Sequence, residues 1–159
     1  MSVKFNCIMI GRVILNRINY QKELEKELER IIEKHEVPTL LLHSCCAPCS
    51  SYCLEYLSQY FQITVFYYNP NIYPPKEYLK RAEEQQQFIE QFPTKYPVKF
   101  IEGSYDTNRF YETVKGFEQC EEGGERCFRC YRLRLMQTGL VAKEQGFDYF
   151  TTTLSISPL

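Results

Sequence analysis

The chemistry of this sequence is concentrated in its sulfur. His43-Ser44-Cys45-Cys46-Ala47-Pro48-Cys49-Ser50 sets two adjacent cysteines with a third one helical turn further on. Far along the chain, Cys120 is followed by Gly123-Gly124-Glu125-Arg126-Cys127-Phe128-Arg129-Cys130, a Cys-x-x-Cys pair. Thiolate, not thiol, is the form that binds metal, and backbone amides at a helix start favour it. Two dicysteine motifs remote in sequence supply sulfurs to one centre, which suits either zinc or a 4Fe-4S cluster. Adjacent side chains diverge, so Cys45 and Cys46 sit awkwardly on one small tetrahedral ion; a larger cluster, or two neighbouring metals, tolerates them better. A thiol-disulfide redox pair without metal is the third reading.

Other residues of the same types read as structural. Cys7 has no partner motif, and Cys53 falls within an amphipathic helix, so both are expected to pack as small side chains. His43 ends an apolar run and is expected to be a hydrogen-bonded histidine rather than a ligand. Apolar Ile8, Met9, Ile10, Val13 and Ile14 are interrupted by Asn6, Gly11 and Arg12, and no small-residue cleavage site follows. That makes a poor secretory signal and a stretch too short to span a membrane, so the expectation is a cytoplasmic chain with no membrane partner. In such a reducing compartment its eight cysteines read as ligands or redox groups rather than disulfides.

The elements that must position these residues follow from periodicity. Leu24, Leu28, Ile31 and Ile32 recur at helical spacing over residues 20–36, and Pro38 ends that helix. Residues 39–43 form a short apolar run with the length of a buried strand, and residues 47–60 a helix with Pro48 in its first turn. A β-branched and aromatic strand at 63–68 leads into the proline-rich loop 69–75. A polar helix at 76–91, a strand at 98–101, a short helix at 107–115, a helix at 129–145 stopped by Gly146, and a strand at 148–156 complete the chain. Strands and helices alternate without a tight hairpin signal, which predicts an α/β, Rossmann-like fold: a mostly parallel sheet flanked by helices. Ligands of such sheets bind beyond the carboxyl ends of the strands. Cys45-Cys46, Asn69 to Tyr73, and Ser104 to Asp106 all fall there.

With 159 residues, 44% of them hydrophobic, the chain suffices for the core of one domain, assigned to residues 19–159. Residues 1–18 are an extension of unknown role. A net charge of -1 excludes a global basic field, so nucleic-acid contact must rest on a local patch. Arg126, Arg129, Arg132 and Arg134 offer one, since arginine pairs phosphate bidentately and stacks on bases. Glu118, Glu121, Glu122 and Glu125 lie close by, so a self-neutralised solvated surface is the competing reading. Tyr67 and Tyr68 are expected in the core.

Four motifs in order resemble a known family: Leu-Leu-Leu-His-Ser-Cys-Cys-Ala-Pro-Cys-Ser (40–50), Phe-Tyr-Tyr-Asn-Pro-Asn-Ile-Tyr-Pro (66–74), Glu-Gly-Gly-Glu-Arg-Cys-Phe-Arg-Cys-Tyr-Arg-Leu-Arg-Leu (122–135) and Phe-Asp-Tyr-Phe-Thr-Thr-Thr-Leu-Ser-Ile-Ser-Pro (147–158). Together they resemble the QueH family of epoxyqueuosine reductases. The resemblance implies a fold related to adenine-nucleotide alpha hydrolases, a 4Fe-4S cluster, and cobalamin-independent reduction of epoxyqueuosine to queuosine at the wobble position of tRNA. It implies Cys45, Cys46, Cys127 and Cys130 as cluster ligands, with Cys49 at a position serving an additional mononuclear iron and Cys120 auxiliary. Asn69, Asn71, Tyr73, Arg129 and Arg132 are the expected substrate contacts, the tRNA carrying epoxyqueuosine is the expected partner, and the electron donor is unidentified. Asp106, Tyr73 and Tyr105 are proton-donor candidates by position only. The alternative is a non-catalytic zinc or iron-sulfur module that binds RNA. Relatives continue beyond Ser157-Pro158-Leu159 to a Tyr-Cys-Gly-Cys segment. Relative to the family this chain is C-terminally truncated, with the expectation of a loaded cluster, little multiple turnover and exposed apolar surface.

Overall fold

A computed structural model describes residues 18–156. The expectations for Cys7, for residues 1–17 and for residues 157–159 lie outside the described residues.

Helix α1 (Tyr20–Glu33) starts where the Asn19 side chain accepts from the Lys22 N–H, and it buries Leu28 and Ile31. It ends short of the expected residue 36, because His35 turns left-handed at φ 54° while the Glu36 N–H reaches back to the Ile31 carbonyl. Strand β1 (Thr39–His43) and helix α2 (Ala47–Leu57, with Pro48 in its first turn) follow. Next come β2 (Gln62–Tyr67), α3 (Pro75–Gln91), β3 (Lys99–Glu102) and α4 (Thr107–Val114). Helix α5 runs Glu125–Gln145 and stops at Gly146, whose φ of 72° suits a residue without a Cβ. It begins ahead of the expected residue 129, so both Cys127 and Cys130 lie on the helix. The last expected strand is shorter than read: β4 spans Tyr149–Thr152, and the chain then tightens into a 3₁₀ turn, Thr153–Ile156. The Thr152 hydroxyl accepts from the Leu154 N–H at 3.1 Å and directs that turn.

The sheet has the order β3-β2-β1-β4 with every pairing parallel, which gives the expected α/β, Rossmann-like architecture. Alternation along β1 divides the core. Leu40 and Leu42 pack with Ile63 and Val65 against Leu28 and Ile31 of α1, Leu54 of α2 and Ile89 of α3. Leu41 and Phe66 face the other way, onto Leu133 and Ala142 of α5. Buried on both faces, β1 is the rigid centre from which the cysteine segment departs. Among the described residues no helix is long and apolar enough to cross a membrane.

Candidate metal centre

The strand order reverses at β1: the chain builds outward through β2 and β3, then returns to place β4 on the other side. In open α/β sheets this is the crevice where ligands bind. Cys45 and Cys46 leave β1 there, and Cys46 is the N-cap residue of α2. The sulfurs of Cys45, Cys46 and Cys49 lie within 4.8 Å of one another. Cys45 Sγ is 3.8 Å from Cys46 Sγ, and Cys46 Sγ is 3.1 Å from Cys49 Sγ. The turn after β4 closes on them, with the buried Thr153 hydroxyl 3.4 Å from the Cys45 N–H and 3.6 Å from its sulfur.

A buried polar triangle holds this turn. Ser44 Oγ donates to Gln85 Oε1 at 2.8 Å, and Gln85 Nε2 donates to Ser50 Oγ at 2.9 Å. Gln85 is 0% exposed and belongs to the stripe Tyr78, Ala82, Gln85 and Ile89 that α3 turns inward. His43 is a hydrogen-bonded histidine, as expected. Its Nε2 must donate to the Tyr68 carbonyl (3.1 Å), so Nδ1 is the acceptor for the Thr152 hydroxyl (2.9 Å). Burial, with the Arg134 charge, pulls its pKa down to about 4, so the ring is neutral.

The second motif lies in the first two turns of α5. Helical periodicity splits the helix into two faces. Arg126, Cys127, Cys130, Tyr131 and Arg134 line a cavity of about 410 Å³ together with Asn71. Arg129, Arg132, Phe128 and Met136 line a separate groove of about 580 Å³ against α4. The four arginines grouped by sequence proximity are therefore two pairs with different surroundings. Arg129 is stacked 4.0 Å over Phe117 and paired with Glu125 at 3.0 Å, while Arg132 is exposed and has no carboxylate partner among the described residues. Arg134 is 4% exposed; its Nη1 donates to Asn69 Oδ1 and its Nε to the Cys130 carbonyl, both at 3.4 Å. Asn69 Nδ2 in turn donates to the Ser44 carbonyl at 2.9 Å, so a continuous chain of bonds joins the two cysteine motifs.

Asn69 is 1% exposed, and both ends of its amide are engaged inside the fold, so its side chain braces the loop rather than facing a substrate. Asn71 differs: its Oδ1 is buried with no partner, beside the cysteine cavity. Tyr73 is 71% exposed on the same loop. Asp106 caps α4 by accepting from the Arg109 N–H, and the Tyr105 hydroxyl donates to the Ile72 carbonyl at 2.6 Å, so both have ordinary structural bonds. Tyr67 and Tyr68 are buried as expected, yet both hydroxyls lack partners. Burial raises the Tyr67 pKa, and the nearby sulfurs of Cys45 and Cys46 raise it further against the opposing charge of Arg81. Gln85 and the Tyr67 hydroxyl were not foreseen as site residues, and Arg134 was expected in a phosphate-binding patch rather than buried between the cysteine motifs. Only Gln85 carried a legible signal, a polar residue inside an apolar helical stripe.

The donor set fits a thiolate-held centre. Burial, then the Cys46 hydrogen bond and the adjacent sulfurs, pushes the Cys49 thiol up to about 12, and a bound cation would oppose that shift. Burial also raises Cys130, against the pull of Arg134. Four sulfurs on one tetrahedral ion stand about 3.8 Å apart for metal-sulfur bonds of about 2.3 Å. Neither Cys127 nor Cys130 belongs to the close sulfur group, which is made by Cys45, Cys46 and Cys49 alone among the described residues. Tyr131 lines the cavity with Cys127 and Cys130, and burial, against the opposing charge of Arg134, raises its pKa, with Cys127, Cys130 and Cys45 raising it further.

Residues 40–159 match the family model described as epoxyqueuosine reductase QueH. Curated proteins named epoxyqueuosine reductase QueH align over most of the chain. The one from Staphylococcus epidermidis is 44% identical over 154 residues, covering 94% of this chain and 65% of that protein. The one from Streptococcus pyogenes is 45% identical over 145 residues, covering 89% and 56%. The one from Staphylococcus aureus is 42% identical over 154 residues, covering 94% and 64%. The chain thus spans a little under two thirds of the length of these relatives.

Proposed function

This chain belongs to the epoxyqueuosine reductase QueH family, and on that premise we propose that it reduces epoxyqueuosine to queuosine at the wobble position of tRNA, in the cytoplasm, with an iron-sulfur centre held between β1 and α5. The observation that supports this reading is the chain of hydrogen bonds through Asn69 and Arg134 that links the Ser44 carbonyl, just before the Cys45, Cys46 and Cys49 group, to the Cys130 carbonyl of α5. Cys45 and Cys46 from one motif and Cys127 and Cys130 from the other hold a 4Fe-4S cluster, and Cys49 serves an additional iron. Bound there, the centre supplies single electrons.

Removing the epoxide oxygen consumes two electrons and two protons and releases water, leaving an alkene. The chain's own residues position and desolvate that reaction. Asn71 lines the cavity and offers its amide to the substrate, and Tyr73 stands exposed where an unstacked base can lie on it. Arg129 and Arg132 meet phosphates of the anticodon stem-loop from the α4-α5 groove. The two electrons come from a donor outside this chain.

The experiment is conversion of epoxyqueuosine tRNA by the iron-loaded chain under strong chemical reductant, read by mass spectrometry of nucleoside digests. Queuosine formed by the loaded and not the metal-free chain supports the reading; no queuosine with either overturns it. One observation favours a second reading. The 3.8 Å between Cys45 and Cys46 sulfurs matches the edge of a single-ion tetrahedron, which suits a zinc-holding, non-catalytic RNA-binding module. Colour separates them: zinc protein is colourless and iron-sulfur protein brown.

A further inference from the structure

The described residues bury one arginine without giving it an acid. Arg134 is 4% exposed, yet no carboxylate lies within the 4.0 Å ion-pair distance of its guanidinium. Its protein hydrogen bonds are two long ones, both 3.4 Å, to neutral acceptors. The Tyr131 ring 5.1 Å away adds a cation-π contact, which is weaker than an ion pair. Other charged groups on the same cavity are Glu122, exposed at its rim, and Arg126, which adds positive charge. A buried cation without an anion is costly, so such a group persists where an anion completes it.

The anion the surroundings offer is sulfur. Arg134 stands one helical turn beyond Cys130 and lines the same cavity as Cys127 and Cys130. Through Asn69 and Ser44 it is also fixed to the segment carrying Cys45 and Cys46. We propose that Arg134 is a positioning residue that supplies the fixed counter-charge for the anionic, thiolate-ligated centre, stabilising its bound form and raising its reduction potential. This inference rests on the centre proposed above. A fixed cation favours whichever state is more negative: the loaded centre over the empty one, and the reduced over the oxidised.

Arg134→Gln and Arg134→Lys test it, compared with the unsubstituted chain, each in metal-free and iron-loaded form. Both substitutions lose the guanidinium fork, and only glutamine loses the charge. The expected result is a smaller rise in melting temperature on loading for Arg134→Gln than for the unsubstituted chain, with Arg134→Lys close to the latter. The midpoint potential of the loaded Arg134→Gln protein should fall by about 59 mV or more, a tenfold shift in a one-electron equilibrium. Equal loss of stability in metal-free and loaded forms, failure of either variant to fold, or unchanged potentials in both would make Arg134 a structural brace and overturn the inference. If the unsubstituted chain itself takes up no iron, the centre fails; the metal-free comparison still decides whether Arg134 is a structural brace.

Discussion

Arg134 Nη1 donates to Asn69 Oδ1 across 3.4 Å, and this bond joins α5 to the loop after β2. Asn69 carries the link onward to the Ser44 carbonyl, immediately before Cys45. Asn69→Ala should therefore loosen both cysteine motifs at once. It leaves the Ser44 carbonyl and the Arg134 donor without their partner, at a cost of about 2 kcal/mol. Chemical denaturation measures the loss, and iron uptake at limiting iron should fall with it.

The Gln85 triangle makes a second, independent demand on the same turn. Gln85→Leu nearly preserves the packing of α3 and removes the bonds that tie the Ser44 and Ser50 hydroxyls to α3, leaving each hydroxyl only its bond to the Cys46 or Ala47 carbonyl. A destabilisation of about 1–2 kcal/mol is expected from the lost hydrogen bonds. Replacing Gln85 by Glu should not rescue it, since burial of a carboxylate adds its own cost. Denaturation midpoints of the two variants check both statements.

His43 gives the fold an acid-sensitive element. Its folded pKa lies near 4, against an ordinary value of 6.5, so between these values the unfolded chain binds a proton that the folded chain excludes. Stability therefore rises with pH across that window, and acidification from pH 6.5 towards 4 removes up to about 3 kcal/mol. Unfolding free energies of metal-free protein, measured across the window, should show this slope, and His43→Asn should reduce it.

Arg129 and Arg132 share the α4-α5 groove, apart from the arginines of the cysteine cavity. Neutralising both to Gln should weaken tRNA binding and flatten its salt dependence, because each lost phosphate contact removes a released counterion. Arg132 is expected to dominate, since Arg129 already pairs with Glu125. Binding titrations over a range of salt give the slope. An unchanged slope returns both arginines to a solvated surface.

Much of the site was legible in the residues themselves because its signals are local. The apolar run 39–43, the β-branched run in β2 and the cysteine spacing each announce their element within a few positions. The end of α1 was less legible, since His35 adopts a left-handed conformation that no glycine marks. Residues 153–156 look like strand by composition, and only the Thr152 hydroxyl bond tightens them into a 3₁₀ turn. The roles of Arg134 and Asn69 could not be read in advance. An arginine in a basic, helical stretch looks solvent-facing until the start of the helix is known, and that start decides which residues turn inward. Asn69 and Arg134 are distant in sequence, and their contact exists only once β2 and α5 are packed together.

The central claim is that Cys45, Cys46, Cys127 and Cys130 hold one iron-sulfur centre. Iron, acid-labile sulfide and visible absorption, measured on anaerobically purified protein and on a Cys127→Ala, Cys130→Ala double variant, test it most directly. The account predicts a brown unsubstituted chain in which iron matches sulfide apart from the additional iron at Cys49, and a double variant that folds but has lost most of its sulfide and of the cluster iron. A colourless, zinc-loaded chain, or a double variant with its iron and sulfide unchanged, would contradict it.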